Sequence, residues 1–334
     1  MLLHLSAKVT RYMRRSSGTD WTNRRRFSLV AIVFATALLA WGAFVTSIDA
    51  GLAVPDWPSS FDSYDPFNPW PNWWQATPIL AEHGHRLLGA LVGLLMMALA
   101  FWTWRSDDRP WMRRLAVGAL LLVVLQGVLG GLRVVWVSLD LAVVHAAVAQ
   151  IFYSLLATLT LFISPMWQRA VDRGHQSELS GLRPVTIRAV LAVYIQILLG
   201  ALLRHPGIGI DPLLAGLHLG FAFVAAATIF HMWITIRTEF ENEVDLRRVS
   251  TWSLRILFLQ VTLGLFAYFI LLDERGIVRP SNLQVVVNSS HLVVGAMLLA
   301  SAVLTLVLVF RLTSRRLLSS ETEANTEADT PAID

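Results

Sequence analysis

The sequence predicts an all-α integral membrane protein with eight transmembrane helices arranged as two pseudo-symmetric four-helix bundles. Of its 334 residues, 55% are hydrophobic and only 15% are charged, whereas soluble domains carry about 25% charged residues. Eight stretches also reach the roughly 20 apolar residues that a bilayer-crossing helix needs. These predicted spans are residues 27–48, 80–104, 115–137, 141–167, 186–204, 213–236, 251–272 and 284–311.

The distribution of basic residues predicts how the helices face the membrane. Of the 27 Lys and Arg residues, 22 lie in segment 1–26, in the segments after alternate spans and in the tail, and five lie on the opposite side. The positive-inside rule therefore predicts a multi-pass protein of the cell inner membrane with both termini cytoplasmic. The alternative is an organelle transit peptide at the Arg- and Ser-containing start, which would point to the mitochondrial inner membrane. Because the basic residues are dispersed, the net charge of +4 indicates membrane anchoring rather than nucleic-acid binding.

The domain organisation follows from the spans and the polar segments between them. We expect a basic cytoplasmic segment over residues 1–26, a first bundle over 27–167, a cytoplasmic linker over 168–185, a second bundle over 186–311 and a disordered cytoplasmic tail over 312–334. The outer loop 49–79 contains DWP, NPW and PNWW. This loop is either an interfacial aromatic belt or a lid over a flat apolar ligand.

The absence of cysteine restricts the chemistry. It excludes disulfides, Cys-ligated zinc, iron–sulfur clusters, covalently attached c-type haem and thiol nucleophiles. Histidine is therefore the strongest candidate for a metal ligand.

A repeated pattern of glutamine, glycine and histidine runs through the predicted helices. Three odd-numbered spans carry Gln-x-x-x-Gly with Leu before the Gly, whereas the first span lacks the Gln and keeps Gly42. Each even-numbered span has a histidine near its outer end and a small residue one turn further on. The repeat consists of Gln126/Gly130, Gln196/Gly200 and Gln260/Gly264, the histidines His85, His145, His218 and His291, and the small residues Gly89, Ala149, Ala222 and Gly295. A small residue there would leave room for a flat macrocycle beside the imidazole.

Histidines at matching depth in a membrane bundle predict haem sites. Ionisable side chains in membrane helices are costly and usually functional, and two imidazoles on facing helices form a bis-His site for b-type haem. We expect His85 to pair with His145 and His218 with His291. Arg86, Arg133 and Arg204 are candidates for binding haem propionates, although snorkelling to lipid headgroups is the alternative, favoured for Arg275 and Arg279. The remaining histidines, His4, His83, His175, His205 and His231, are not expected to be ligands.

Glu82 distinguishes the first predicted site from the second. It precedes His85 by three residues and so shares its helix face, whereas no Glu takes that position before the other three histidines. Its carboxylate could hydrogen-bond the imidazole, accept a proton or stabilise a developing positive charge. The alternative is a favourable interaction with the helix N-terminus. This asymmetry suggests that the reaction takes place in the first bundle and that the second bundle transfers electrons.

Taken together, these motifs resemble the haem A synthase family. The resemblance rests on Glu-x-x-His-Arg (Glu82, His85 and Arg86), one histidine at the outer end of each even span, the Gln-x-x-Leu-Gly repeat and GLAVPDWP over residues 51–58. It covers about residues 27–311. Some members carry a cysteine pair in the outer loops, so this chain would belong to a cysteine-free branch.

The resemblance implies an oxidoreductase that converts the C8 methyl group of haem O to a formyl group, giving haem A for cytochrome oxidase. It implies haem O and haem A as substrate and product at His85/His145, a resident haem b at His218/His291 and Glu82 as the catalytic residue. Haem O would come from a haem O synthase, while the electron acceptor, the oxygen source and self-association remain open. The alternatives are a di-haem b-type electron-transfer protein and a haem transport or maturation protein.

Overall fold

Eight long helices make up most of the part of the chain that the structure describes. The computed structural model describes residues 18–68, 72–173, 177–204, 211–273 and 280–313. The helices are α1 (Gly18–Ser47), α2 (Thr77–Ser106), α3 (Pro110–Val135), α4 (Leu139–Phe162), α5 (Leu182–Leu203), α6 (Pro212–Glu239), α7 (Val244–Asp273) and α8 (Asn282–Thr313). Each is long and apolar enough to cross a membrane, and the described residues contain no β-strand. The predicted all-α, multi-pass membrane fold is confirmed.

Prolines and side-chain caps set the helix starts. Pro occupies the first or second position of α2, α3 and α6, where its missing N–H costs nothing. Ser138 caps α4 by accepting from Leu141 N (3.2 Å), and Asp211 caps α6 by accepting from Leu213 N (2.8 Å). Such caps satisfy amide groups that have no partner within the helix.

The structure differs from the predicted boundaries between the two bundles. The fourth span was expected to run to residue 167, but α4 ends at Phe162 and a short helix begins at Pro165. Proline cannot continue a helix, because its ring clashes with the preceding turn and it has no N–H. The expected linker 168–185 contains the rest of this short helix (Pro165–Arg173), a 3₁₀ turn (Ser177–Gly181) and the start of α5.

The chain ends also differ from the predicted boundaries. Helix α1 begins at Gly18, inside the segment expected to be a basic terminus, and α8 continues to Thr313. The expected tail lies outside the described residues from position 314 onwards, as do residues 1–17.

The helices pack as two closed rings of four. In the first ring α1 packs on α2, α2 on α3, α3 on α4 and α4 on α1, and α5–α8 repeat this order. Thr36 of α1 and Tyr153 of α4 share a 3.0 Å hydrogen bond, and Arg183 of α5 donates to Thr313 of α8 (2.6 Å). The arrangement is compatible with two pseudo-symmetric bundles. In each ring the even-numbered helices stand at opposite corners, so side chains on them can face each other across the interior.

Helix α8 is the central element of the fold. It packs against α1 and α4 of the first ring as well as against its own ring. In its most apolar stretch 56% of the residues are buried, compared with 6% in α7. Ala296, Ala300, Ser301 and Ala302 are among the buried residues of α8, and such small side chains let membrane helices approach closely.

Ion pairs join helix ends on one side of the molecule. This side lies opposite His85, His145, His218 and His291, and we call it the basic end. Arg24 of α1 is fully buried and donates to Asp107, after the end of α2, at 2.9 Å. Arg109 pairs with the same carboxylate at 2.7 Å. Burial acts to raise the pKa of Asp107, but the hydrogen bonds and charge of Arg109, together with the charge of Arg24, lower it below its ordinary value.

Candidate functional site

The four predicted histidines all lie near the start of an even-numbered helix. His85, His145, His218 and His291 occur within the first three turns of α2, α4, α6 and α8. Since these helices run in the same direction through their rings, the histidines share one end of the molecule, here called the histidine end. His85 and His145 come from opposite corners of the first ring, and His218 and His291 from opposite corners of the second.

Each of the four imidazoles packs against a glycine of the preceding helix. A Cβ atom at Gly42 would lie 2.9 Å from His85 Cε1, and one at Gly200 would lie 2.9 Å from His218 Cε1. The equivalent distances are 3.3 Å for Gly130 with His145 and 3.0 Å for Gly264 with His291. The repeated glycine therefore allows the histidine ring to approach a neighbouring backbone, a role that the sequence pattern alone did not reveal.

The repeated glutamine contacts the same histidine. Gln126 Nε2, with its amide oriented to satisfy both ends, lies 3.1 Å from His145 Nδ1, while Oε1 accepts from Ala149 N at 3.1 Å. Gln196 Nε2 donates to the His218 carbonyl at 2.9 Å and lies 3.1 Å from its Nδ1. Gln260 Nε2 lies 3.2 Å from His291 Nε2.

The first helix breaks this repeat. Leu38 precedes Gly42 by four residues, as each glutamine precedes its glycine. Leu38 Cδ1 would lie 4.0 Å from a Cβ atom at Gly89, so it fills the position of the glutamine side chain. Nδ1 of His85 is buried without a hydrogen-bond partner among the described residues.

The small residues one turn after the histidines border the glutamine and Leu38 side chains of the preceding helices. A Cβ atom at Gly295 would lie 3.2 Å from Gln260 Nε2, Gly89 borders Leu38, and Ala149 donates its N–H to Gln126. The space predicted for a macrocycle is thus shared with the side chain from the odd-numbered helix. Ala222 is the corresponding small residue of α6.

The donor set of the second ring fits a planar metal macrocycle. The rings of His218 and His291 have centroids 6.4 Å apart. Two imidazoles on opposite sides of one ion, each with a metal–nitrogen distance of about 2.1 Å, would have centroids about 6 Å apart. The described residues form no cluster of three or more His, Cys, Asp or Glu side chains. A bare ion would lack ligands here, whereas a porphyrin brings four nitrogens of its own.

Glu82, which is buried, and Arg86, which is partly exposed, form an ion pair on the same helix as His85. Glu82 Oε1 accepts from Arg86 Nη2 at 2.8 Å, and Oε2 accepts from Val54 N at 2.9 Å. The same guanidinium donates to the carbonyls of Val54 (2.9 Å) and Asp56 (2.7 Å). Arg86, a predicted propionate ligand, thus contacts Glu82 and the outer loop in this structure.

The outer loop lies over the histidine end of the first ring. Arg133 at the end of α3 donates to the Gly51 carbonyl at 2.9 Å, and the Trp57 indole occupies the space above Gly131. Asp56 accepts from Phe61 N (2.7 Å), from Asp62 N (2.9 Å) and from the Ser59 hydroxyl. Burial acts to raise the pKa of Asp56, but these hydrogen bonds together lower it. These contacts favour the interpretation of this loop as a lid rather than as an interfacial aromatic belt.

Arg204, a predicted propionate ligand, has a buried N–H group without a described partner. Its Nη2 donates to the Ser47 hydroxyl at 2.6 Å, which links the end of α5 to the end of α1. Its Nη1 is buried and has no partner among the described residues. Burial lowers the pKa of this guanidinium, and a nearby carboxylate would compensate for the cost.

The other histidines have separate surroundings. His83 is buried, with Nε2 2.9 Å from the Pro66 carbonyl and its ring 5.0 Å from the Trp73 ring. His231 is exposed in α6, away from the histidine end. His4, His175, His205, Arg275 and Arg279 lie outside the described residues.

Comparisons with known proteins identify relatives. The sequence model of the COX15-CtaA family, described as cytochrome oxidase assembly protein, matches residues 25–210. A protein named "Heme A synthase" from Symbiobacterium thermophilum is 29% identical over 266 residues, which cover 72% of this chain and 84% of that relative. Another of that name from Exiguobacterium sibiricum is 29% identical over 190 residues, covering 55% of this chain and 61% of the relative. Since the family model matches more than half of the sequence, the chain belongs to the COX15-CtaA family of cytochrome oxidase assembly proteins.

Proposed function

We propose that this protein is a haem A synthase, a membrane enzyme that acts on haem O. The observation that carries the proposal is the fourfold contact between a histidine and a glycine in a member of this family, with the Glu82–Arg86 pair beside only one of the four. Relatives named "Heme A synthase" support the same activity.

The protein would lie in the cell inner membrane with its histidine end facing outward. The described ion pairs Arg24–Asp107 and Arg169–Asp245 lie at the opposite end. The surplus of basic residues at that end supports a cytoplasmic location for it and for both termini.

The two rings would bind different haems. In the second ring, His218 and His291 would hold a resident haem b. In the first ring, His85 and His145 would hold haem O during its conversion to haem A. When bound, the iron porphyrins supply redox chemistry that no amino-acid side chain provides.

The proposed reaction converts the C8 methyl group of haem O to a formyl group. The change replaces two hydrogen atoms with one oxygen atom and removes four electrons in total, so an oxygen source and an electron acceptor outside the chain are needed. The side chains would orient the porphyrin and stabilise charge that develops at its edge. A buried arginine with an available N–H, such as Arg204, suits a propionate.

Glu82 would act mainly through its charge. Arg86 and the Val54 N–H donate to the two carboxylate oxygens, which fixes the position of this negative charge. A carboxylate held this firmly beside the ring can stabilise positive charge there without reorganising. The loop over Arg86 and Arg133 would limit the access of water to the same place.

Expression of the full chain with and without a supply of haem O tests the proposal. Extracted haems are identified by mass. Haem A that appears only when haem O is supplied is the expected result. Haem B alone under both conditions would overturn the proposal in favour of a di-haem electron-transfer protein.

A further inference from the structure

We propose that a groove at the junction of α6 and α7, at the basic end, binds the phosphate headgroup of an anionic phospholipid. The groove has a volume of about 290 Å³. It is lined by Arg237 near the end of α6 and by Arg247, Arg248 and Arg255 in the first part of α7. The groove lies at the opposite end of the molecule from the four histidines, so the proposal does not depend on the proposed activity.

The four guanidinium groups of the groove carry positive charge that no carboxylate offsets. The ion pairs among the described residues involve none of them. Arg247 donates to the backbone carbonyl of Glu241 at 2.9 Å, and the guanidinium of Arg255 lies 5.0 Å from the centre of the Trp252 ring. These contacts orient the arginines and leave their charge in place.

The acidic residues of the same segment do not line the groove. Asp245 accepts from Arg169 through both carboxylate oxygens, at 2.8 and 2.9 Å. Glu239, Glu241 and Glu243 lie in and beside the turn between the two helices, outside the groove lining. Two of the arginines also lie in the first turn of a helix, where the helix dipole opposes positive charge. A bound anion would relieve both effects.

The equivalent turn of the first ring contains its own anions. Between α2 and α3, Asp107 pairs with Arg24 and Arg109, and the Asp108 carboxylate lies 3.7 Å from Arg113. The turn between α6 and α7 takes the corresponding place in the second ring. Its groove arginines lack such a carboxylate, so the negative charge has to come from outside the chain.

The surroundings of the groove favour a phospholipid over a soluble anion. Trp252 is exposed beside the arginines, and exposed Trp is typical of the membrane interface. Leu259 and Phe266 follow it at seven-residue spacing on the same side of α7, and Phe230 precedes Arg237 by seven residues on α6; all three apolar side chains are exposed. In the most apolar stretches of α6 and α7 only 11% and 6% of the residues are buried. Acyl chains can therefore cover apolar surface directly beside the cationic groove.

Arginine is well suited to the phosphodiester of such a lipid. The planar guanidinium donates two parallel hydrogen bonds to phosphate oxygens. Each basic residue near an anionic membrane surface strengthens binding roughly fivefold. A zwitterionic phospholipid would bind more weakly, because the arginines repel the cation in its headgroup.

Binding of dioleoylphosphatidylglycerol to the purified full-length protein tests the proposal. The protein in a neutral detergent is titrated separately with this lipid, with dioleoylphosphatidylcholine and with inorganic phosphate, and native mass spectrometry counts the bound molecules. We expect phosphatidylglycerol to bind more tightly than either of the other two. The triple variant Arg237→Gln/Arg248→Gln/Arg255→Gln should weaken its binding roughly 100-fold, because three arginines are removed.

A variant with the same loss of charge at the same end is the control. Arg25, Arg105 and Arg114 are exposed and lie outside the groove, so Arg25→Gln/Arg105→Gln/Arg114→Gln should bind phosphatidylglycerol as the wild type does. This lipid should also raise the unfolding temperature of the wild type and the control, and leave that of the groove variant unchanged. The single variant Arg248→Gln, which should weaken binding roughly fivefold, provides the test if the triple variant does not fold.

Three results would each refute the lipid site. Equal losses of binding in the groove variant and the control would indicate general attraction to a basic surface. Equal affinities for phosphatidylglycerol and phosphatidylcholine would show that the headgroup charge is not recognised. Inorganic phosphate that binds as tightly as phosphatidylglycerol would identify a soluble phosphate ligand instead. None of these measurements uses haem, so each result leaves the proposed activity to its own test.

Discussion

The imidazoles of His218 and His291 face each other across the second ring with centroids 6.4 Å apart and planes inclined at 76°. They come from α6 and α8, at opposite corners of that ring, and each packs on a glycine of the preceding helix. At this spacing the two imidazoles could hold one iron atom between them, as the proposed haem b site requires.

Replacing His218 or His291 with Ala should abolish haem b binding in the second ring. One of the two imidazoles that would hold the haem is lost, so the other would have to hold it alone. The absorption spectrum of the reduced protein measures this loss. His231→Ala, which changes an exposed histidine of α6, should leave the spectrum as it is, and a normal spectrum in His291→Ala would refute the pairing.

Gly200→Ala should displace the His218 ring. The new Cβ would lie 2.9 Å from Cε1, and overpacking of this kind typically costs about 1–3 kcal/mol. The variant should bind less haem b and unfold at a lower temperature, as measured by haem stoichiometry and thermal denaturation. Gly118 has open space around its Cβ position, so Gly118→Ala should be neutral or slightly stabilising. Full haem occupancy in Gly200→Ala would contradict the close contact.

Glu82→Gln should bind haem O but stop its conversion to haem A. The amide can still accept from Val54 N, while the negative charge paired with Arg86 is lost. Extracted haems analysed by mass would reveal bound haem O without haem A. Glu241→Gln, at an exposed position after α6, provides the control with normal conversion. Wild-type amounts of haem A from Glu82→Gln would remove Glu82 from the mechanism.

Asp107→Asn should destabilise the basic end. Removing one partner of a buried ion pair typically costs about 3–5 kcal/mol, because the other charge stays buried, and here that charge is the fully buried Arg24. Thermal unfolding in detergent measures the change. The neighbouring Asp108 has a side chain that is 73% exposed and lies 3.7 Å from Arg113, so Asp108→Asn should cost less than about 1 kcal/mol. Equal losses in the two variants would contradict the role given to the buried pair.

The same carboxylate predicts how stability changes with acid. The pKa of Asp107 in the folded protein is lower than its ordinary value of 3.8, so its ionised form stabilises the fold. This contribution is complete above about pH 4 and declines as the pH falls through the lowered pKa. The unfolding temperature measured between neutral pH and about pH 3 should therefore fall more steeply for the wild type than for Asp107→Asn. Parallel curves would show that Asp107 does not contribute.

Sequence periodicity predicted the parts of the structure that depend on local spacing. Apolar stretches identified the eight spans, and the regular positions of His85, His145, His218 and His291 identified them as candidate ligands. Pro165 was visible in the sequence, yet the fourth span was extended past it because the apolar run continues. The rule that proline ends a helix would have corrected this boundary.

Contacts between distant segments could not be predicted in the same way. Arg86 reaches Val54 and Asp56 only because the outer loop folds back over α2, and no local pattern specifies that path. The pairing of Gln260 with His291 also depends on which faces α7 and α8 turn towards each other. The matching spacing of the glutamine and histidine repeats was nevertheless a signal that could have suggested it.

The central claim is that the first ring converts haem O while the second ring holds a resident haem b. Its most direct test is the identity of the haems bound to two purified variants expressed with a supply of haem O. His291→Ala should retain haem O or haem A, and a His85→Ala/His145→Ala variant should retain haem b alone. Haem A bound to the variant without His85 and His145 would contradict the account.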